Sequence, residues 1–321
     1  MAEQSVLCIL RYRRQCARGI KVEKLMNAYV PEEDILSKEP MWKHTTFRVG
    51  GEADCFVRIS SPSQLAGLIP RLKENKIPWF IMGNGSNLLV GDKGFRGVIL
   101  QIGSKMGALS TEGSRIRAGA GALLSAAAKY AMEQGLSGLE FASGIPGTVG
   151  GGVMMNAGAY GGEMKQVIRS VTVLDENGRV FELEGGAMEF GYRTSVIKRR
   201  RLIVLEAVMA LKAGDKEEIR AKMEELAARR KEKQPLEFAS AGSTFKRPEG
   251  YFAGKLIMEA GLRGYGVGGA RVSEKHCGFV INAGEACAAD IAAVIKEVQR
   301  RVKEHSGVSL EPEVIFLGDF A

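Results

Sequence analysis

Ser143-Gly-Ile-Pro-Gly-Thr-Val-Gly-Gly-Gly152, followed at once by Val153-Met-Met-Asn-Ala-Gly-Ala-Tyr-Gly-Gly162, decides how this chain is read. In the first ten residues only Ile145 and Val149 carry an apolar side chain larger than proline's. Such a segment lays backbone flat against a large planar ligand and offers it N–H groups. A flexible loop is the competing reading. Ile145, Val149 and then Val153-Met-Met155 recur too regularly for one. Sixty residues upstream, Gly83-Asn-Gly-Ser-Asn87 follows the strand-like run Trp79-Phe-Ile-Met82. Successive N–H groups of a Gly-containing turn form a concave anion nest, to which Ser and Asn add donors. No Gly-Lys-Ser/Thr follows, so this is no Walker loop, and the third Gly of a dinucleotide fingerprint is missing. By itself the run also reads as an ordinary turn.

The composition agrees with a ligand-binding globular protein. Of 321 residues 45% are hydrophobic and 26% charged, which argues against disorder and allows two or three domains. Glycine numbers 41 and proline only 9, a bias toward sharp turns and close backbone approach rather than linkers. No run of about 18 apolar residues exists, so a membrane span is not expected. Ser5-Val-Leu-Cys-Ile-Leu10 is too short for a signal segment and has its basic residues on the wrong side. Five scattered cysteines with no CxxC pair exclude a disulfide framework and a zinc ribbon, and fit a reducing cytoplasm. His44, His276 and His305 have no metal spacing, and no metal is assigned. Half of the net charge of +8 falls in residues 1–24, where six basic residues face Glu3 and Glu23. That arm lacks interleaved stacking aromatics, so it reads as a solvated extension and not a nucleic-acid binder. Lys198–Arg201 and Arg229-Arg-Lys-Glu-Lys233 would suit a phosphate-bearing small ligand.

Hydrophobic spacing and turn chemistry predict an α+β chain. Ser61 caps a helix with Pro62 at its first position and Gln64 closing a capping box, and Pro70 should kink or end it. Strands are predicted at 98–102, 114–118, 202–211 and 314–317. A hairpin over 171–183 turns at Asp175-Glu-Asn-Gly178. Helices are predicted over 121–135, from about 215 to 231, and from about 288 to 305 ending at Ser306-Gly307.

The motifs, taken in order, resemble the UDP-N-acetylenolpyruvoylglucosamine reductase (MurB) family of bacterial cell-wall synthesis. The matching runs are Thr45-Thr-Phe-Arg-Val-Gly-Gly51, Gly83–Leu89, Ser143–Gly150 with Met155–Gly161, Gly191-Tyr-Arg-Thr-Ser195, Ala241-Gly-Ser-Thr-Phe-Lys246, Lys275–Asn282 and Leu310-Glu-Pro-Glu-Val314. Each is unspecific alone. Seven in order, from about 40 to 318, are not. The resemblance implies a two-part FAD-binding domain of the vanillyl-alcohol-oxidase type (30–212, subdomains about 30–97 and 98–212). A C-terminal α+β substrate-binding domain (213–321) would follow, whose final strand returns Glu313 to the active site, and 1–29 would be a basic extension. It implies non-covalent FAD, NADPH as reductant, and reduction of the enolpyruvyl ether of a UDP-sugar to UDP-N-acetylmuramate. The compact 191–243 interval resembles the short form of the family, without the loop whose tyrosine covers the substrate.

By the same resemblance, Gly83, Asn84, Gly85, Ser86, Asn87 and Leu88 would hold the FAD pyrophosphate. Ser143, Gly144, Ile145, Gly147, Thr148, Gly151, Gly152, Asn156, Ala157 and Gly158 would line the isoalloxazine and ribityl chain. Hydride addition to the enolpyruvyl group builds charge that needs a fixed cation, a hydrogen-bond donor and an acid. The family supplies Arg, Ser and Glu, matched here by Arg193 on the carboxylate, Ser243 as proton donor and Glu313 assisting. Glu311 is the alternative to Glu313, since they are two residues apart, and Pro312 between them disfavours regular pairing there. Tyr192, Arg229, Arg230, Lys233, Lys275 and Asn282 are the substrate-binding candidates, although Arg229–Lys233 also reads as a solvated helix end. The expected partner is a small UDP-sugar, with no nucleic acid and no membrane insertion, and the protein is expected to be a cytoplasmic monomer or weak homodimer. A different flavoenzyme of this fold, oxidising an alcohol or sugar acid, is the rival. It would often hold its flavin covalently.

Overall fold

The computed structural model describes residues 22–320, so most of the basic arm lies outside the described residues. The chain divides into two units, each with its own core. The first takes the described residues up to Ser37, with Asp54–Asn84 and Arg96–Ala228.

A four-stranded sheet in this unit runs in the order Ile35–Pro40, Glu52–Ile59, Phe95–Ile102, Trp79–Met82, and its last two strands pair in parallel. The run 83–94 connects that parallel pair, and the helix Pro62–Glu74 leads from Glu52–Ile59 into Trp79–Met82. Ser61 Oγ accepts the N–H of Gln64 as predicted, while the Gln64 side chain reaches back to the N–H of Ser60. Pro70 neither ends nor breaks this helix. Leu65, Leu68, Ile69 and Leu72 are fully buried around it, and their packing outweighs the one backbone bond that proline removes. Met26, on the short helix Val22–Asn27, and Val30 are buried in the same core. Part of the expected 1–29 extension is therefore packed structure.

The second sheet has five antiparallel strands, in the order Val180–Glu184, Ile168–Leu174, Ile203–Ala210, Arg115–Gly119, Leu109–Glu112. Alternation sends Ile116, Ala118, Val171, Val173, Ala207 and Met209 into the core. The opposite face carries a charged groove of about 240 Å³ lined by Arg115, Arg117, Arg169, Glu182 and Glu184. The predicted hairpin is present. Asp175 Oδ1 accepts the N–H groups of Asn177 and Arg179, Gly178 has φ +82°, and Leu174 pairs with Val180. The N–H bonds to its side chain hold the Asp175 carboxyl below the usual range. The helices Leu124–Glu133 and Val149–Met155 also pack into this core.

The second unit comprises Lys38–Ala53, Gly85–Phe95 and the described residues from Arg229 onward. Four short antiparallel strands run Ala239–Ser240, Val280–Asn282, Ala270–Val272, Gly266–Val267. The helix Ala288–Ser306 buries Ile291, Val294, Ile295, Val298 and Val302 in the core they share. These five contribute roughly 10 kcal/mol of gross apolar burial. Gly307, in the left-handed conformation, stops the helix where predicted. At its start the Asp92 carboxylate accepts the N–H groups of Ala288 and Ala289, each at 2.8 Å. The closing strand Ile315–Leu317 pairs in parallel with Leu88–Val90. Residues 38–53 and 85–95 thus group with the C-terminal residues, whereas sequence placed them in the cofactor domain. The pairing that takes 85–95 there joins residues more than 200 positions apart. Among the described residues, no helix is long and apolar enough to cross a membrane.

Candidate active site

In the first unit two Gly-rich runs lie side by side. Asn84 Nδ2 donates to the carbonyl of Pro146 at 2.6 Å. A Cβ at Gly83 would lie 3.0 Å from Cγ2 of Thr148 and closer still to its Oγ1, so glycine is required for this approach. The run 143–158 is not an open platform throughout, because Val149–Met155 is helical. Thr148 caps that helix, its Oγ1 accepting the N–H of Gly151. The N–H groups of Val149 and Gly150 donate to the carbonyls of Ala122 and Ala120, and that of Gly152 to Thr148. These amides are spent inside the protein. Gly152 is buried against Leu124, with no room for a side chain, and serves packing. Gly151 is exposed, and its missing side chain leaves the surface open. Gly144 is also exposed, Ile145 and Gly147 are half-buried, and Ser143 Oγ donates to the carbonyl of Glu140.

Asn156 ends the helix in the left-handed conformation and is 3% exposed. Its Nδ2 donates to Glu163 and to the carbonyl of Gly191, while its Oδ1 accepts the N–H of Lys165. It is a brace that ties the helix end to the turn bearing Arg193. The neighbouring residues Ala157 and Gly158 are likewise bound into local backbone pairing. In that turn Gly191 and Thr194 exchange backbone bonds at 3.1 and 3.3 Å. Arg193 has φ +54°, a conformation disfavoured for a side-chain-bearing residue, and its guanidinium lies 5.5 Å from the centre of the exposed Tyr192 ring. Ser195, wholly buried, donates to the carbonyl of Met154 and anchors the following turn.

The second unit brings Ser243 and Glu313 onto adjoining backbone. Phe245 and Pro312 form an antiparallel bridge, flanked by Glu313 N–H to Thr244 O at 2.8 Å and Lys246 N–H to Glu311 O at 2.9 Å. Pairing around Pro312 was not expected. It is allowed because both bonds come from the flanking residues, so the absent proline N–H is not needed. Thr244, fully buried, also donates its N–H to Gly278 O and accepts the N–H of Val280 on Oγ1. Ser243 is exposed between this fixed residue and Gly242, whose φ is +75°. The structure separates the two glutamates. Glu311 is 69% exposed and paired with Lys246, whereas Glu313 is half-buried with its backbone held on both sides.

Lys275 Nζ donates to the carbonyl of Lys231 at 2.7 Å, which brings it to the last turn of the helix Lys216–Lys233, beside Arg230 and Lys233. Arg229 lies in the same stretch. Asn282 is used internally: Nδ2 donates to Phe47 O, and Oδ1 accepts from Gly284 and Ala286. His276 is pushed below its ordinary pKa by burial, and its Nδ1 accepts the N–H of Gly278. Sequence reasoning assigned no site residue to Thr45–Gly51, yet Thr46 N–H donates to Gly85 O and Gly51 N–H to Gly91 O. Gly51 has no space for a Cβ against the backbone of Asp92, and Gly50 has φ +124°. The Gly50-Gly51 pair was the available signal. Leu88 is buried and paired with Ile315.

Residues 53–184 match the family described as FAD binding domain, and residues 234–317 match the C-terminal domain of UDP-N-acetylenolpyruvoylglucosamine reductase. Fold and site together define a flavoprotein with an FAD-binding domain followed by a separate C-terminal α+β domain. A curated UDP-N-acetylenolpyruvoylglucosamine reductase of Caldanaerobacter subterraneus subsp. tengcongensis is 51% identical over 94% of this chain and 99% of its own length. One from Clostridioides difficile is 52% identical over 90% of this chain and 95% of its own. The crystal structure of the Thermus caldophilus enzyme superposes with a TM-score of 0.75 at 37% identity, covering 87% of this chain and 97% of that one. The chain belongs to the UDP-N-acetylenolpyruvoylglucosamine reductase family.

Proposed function

We propose that this protein is an FAD-containing, NADPH-dependent reductase that converts UDP-N-acetyl-3-O-(1-carboxyvinyl)-glucosamine to UDP-N-acetylmuramate, a cytoplasmic step of peptidoglycan synthesis. The observation that carries this is its 51% identity with a reductase of that name across 99% of the relative's length. The cradle fits the cofactor: two Gly-rich runs meet through Asn84 and Thr148, and the exposed Gly144 and Gly151 leave the backbone open to a flat ligand. Bound FAD supplies the relay of hydride from NADPH to the enolpyruvyl group.

The chain's own residues supply the rest. Arg193, held by the Gly191–Thr194 turn and by Asn156, forks onto the substrate carboxylate and stabilises the charge that develops beside it. Ser243 Oγ delivers the proton to the adjacent carbon, its position set by the three bonds of Thr244. Glu313 stabilises the enolic form of the substrate. Arg229, Arg230, Lys233 and Lys275, gathered at one helix end, bind the diphosphate, where the helix C-terminus reinforces the need for cations. Purified protein supplied with FAD should be yellow, bleach with NADPH and recover its colour on addition of the enolpyruvyl substrate. Colourless protein, or flavin that stays attached after denaturation, would reject the proposal.

A further inference from the structure

Asn87 closes the run Gly83–Asn87, and the motif places it among the cofactor ligands. Its contacts lead elsewhere. Asn87 Nδ2 donates to the carbonyl of Glu313 at 3.0 Å, and Asn87 O accepts the N–H of Ile315 at 3.0 Å. From residue 88 onward the same two segments form a parallel ladder, Leu88 with Ile315, Leu89 with Phe316 and Val90 with Leu317. In a regular parallel ladder one residue donates its N–H to one partner residue and accepts from the partner two positions on. Asn87 makes both bonds, with its side-chain amide standing in for the backbone N–H. The ladder thus gains one more rung while the backbone of the Gly-rich turn departs from it.

That extra rung falls on Glu313. The glutamate's N–H is held by Thr244 O and its C=O by Asn87, so both of its peptide groups are fixed by separate segments. Val314, buried, follows directly. Only side-chain torsions are left to Glu313. We propose that Asn87 is the positioning residue of Glu313, holding its backbone through the Nδ2 bond. The proposal rests on the reading of Glu313 as catalytic.

The test uses the FAD-loaded enzyme and follows each half-reaction separately by stopped-flow absorbance. Asn87→Asp keeps the shape but cannot donate at neutral pH. It should retain FAD with affinity within about threefold and bleach with NADPH within about twofold of wild type. Reoxidation by the UDP-sugar should slow by about 10- to 100-fold, the cost of a misplaced catalytic group. If Asn87 acts through Glu313, Asn87→Asp with Glu313→Gln should be no slower than Glu313→Gln alone. Loss of FAD, equal slowing of both halves, or multiplicative losses in the double variant would each overturn the proposal. Wild-type reoxidation in Glu313→Gln alone would instead overturn the reading of Glu313, and this inference with it. Should Asn87→Asp fail to fold, Asn87→Ala takes its place in the same measurements, with the same results expected and the same results overturning the proposal.

Discussion

Gly83→Ala tests whether the two Gly-rich runs are held together as the structure shows. The new Cβ would stand 3.0 Å from Thr148 Cγ2 and 3.2 Å from its Cβ, with Oγ1 nearer than either. Thr148 is 4% exposed and β-branched, so it cannot retreat to solvent or rotate freely. Relief requires moving Oγ1 off the N–H of Gly151, which forfeits a helix cap of about 1 kcal/mol. Overpacking in a close-packed site adds about 1–3 kcal/mol. The expected destabilisation is therefore about 2–4 kcal/mol, read as a lowered urea midpoint of the far-ultraviolet signal, with weaker FAD retention. In a Thr148→Ala background Oγ1 and Cγ2 are gone, and the remaining Cβ lies at a distance that small shifts can absorb. Gly83→Ala should then cost less than about 1 kcal/mol, a strong departure from additivity. An equal cost in both backgrounds would refute the reasoning, because Thr148 would then not be what position 83 meets.

Ser243→Ala should leave bleaching by NADPH nearly unchanged and slow reoxidation by substrate by about 10²–10⁴, measured on the separated half-reactions; unaffected reoxidation would remove Ser243 from the mechanism. Arg193→Lys should keep FAD but lose most turnover, since lysine cannot fork onto a carboxylate, and wild-type turnover would dismiss the clamp. Lys233→Ala should raise KM for the UDP-sugar more than it lowers kcat, as diphosphate contacts are made alike in ground and transition states. His276 is held below its ordinary value of 6.5 by burial, so the unfolded chain takes up the proton first. Its contribution to stability is therefore whole above about pH 6.5 and declines as pH falls through the lowered folded value. Chemical denaturation against pH should show that decline in wild type, and a flatter profile in His276→Asn.

Local chemistry was legible in the residues. The Asp175–Gly178 hairpin, the Ser61 cap, the Gly307 stop and the face of the helix Ala288–Ser306 follow from turn dihedrals, capping bonds and apolar spacing, all set within a few positions. The Gly-rich run 143–152 reads as a backbone platform for a flat ligand, and the ordered motifs resemble the family to which the chain belongs. Pro70 does not end its helix, because its local cost is fixed by sequence while the burial that outweighs it is supplied by the rest of the core.

What only the tertiary structure decided are the relations between residues far apart in sequence. The parallel pairing of Leu88–Val90 with Ile315–Leu317 moves residues 85–95 into the C-terminal unit, and no periodicity at either end specifies its partner. The choice between Glu311 and Glu313 was equally closed to spacing, since both lie on one side of a regular strand. The fold gives the two different surroundings, with Lys246 paired to Glu311 and with Thr244 and Asn87 holding the backbone of Glu313. Asn156, Asn87 and Asn282 looked alike as polar residues of ligand-binding motifs. Each proves to spend its side-chain amide on protein backbone or a neighbouring carboxylate, because an amide withdrawn wholly or partly from water must find partners and the fold supplies them.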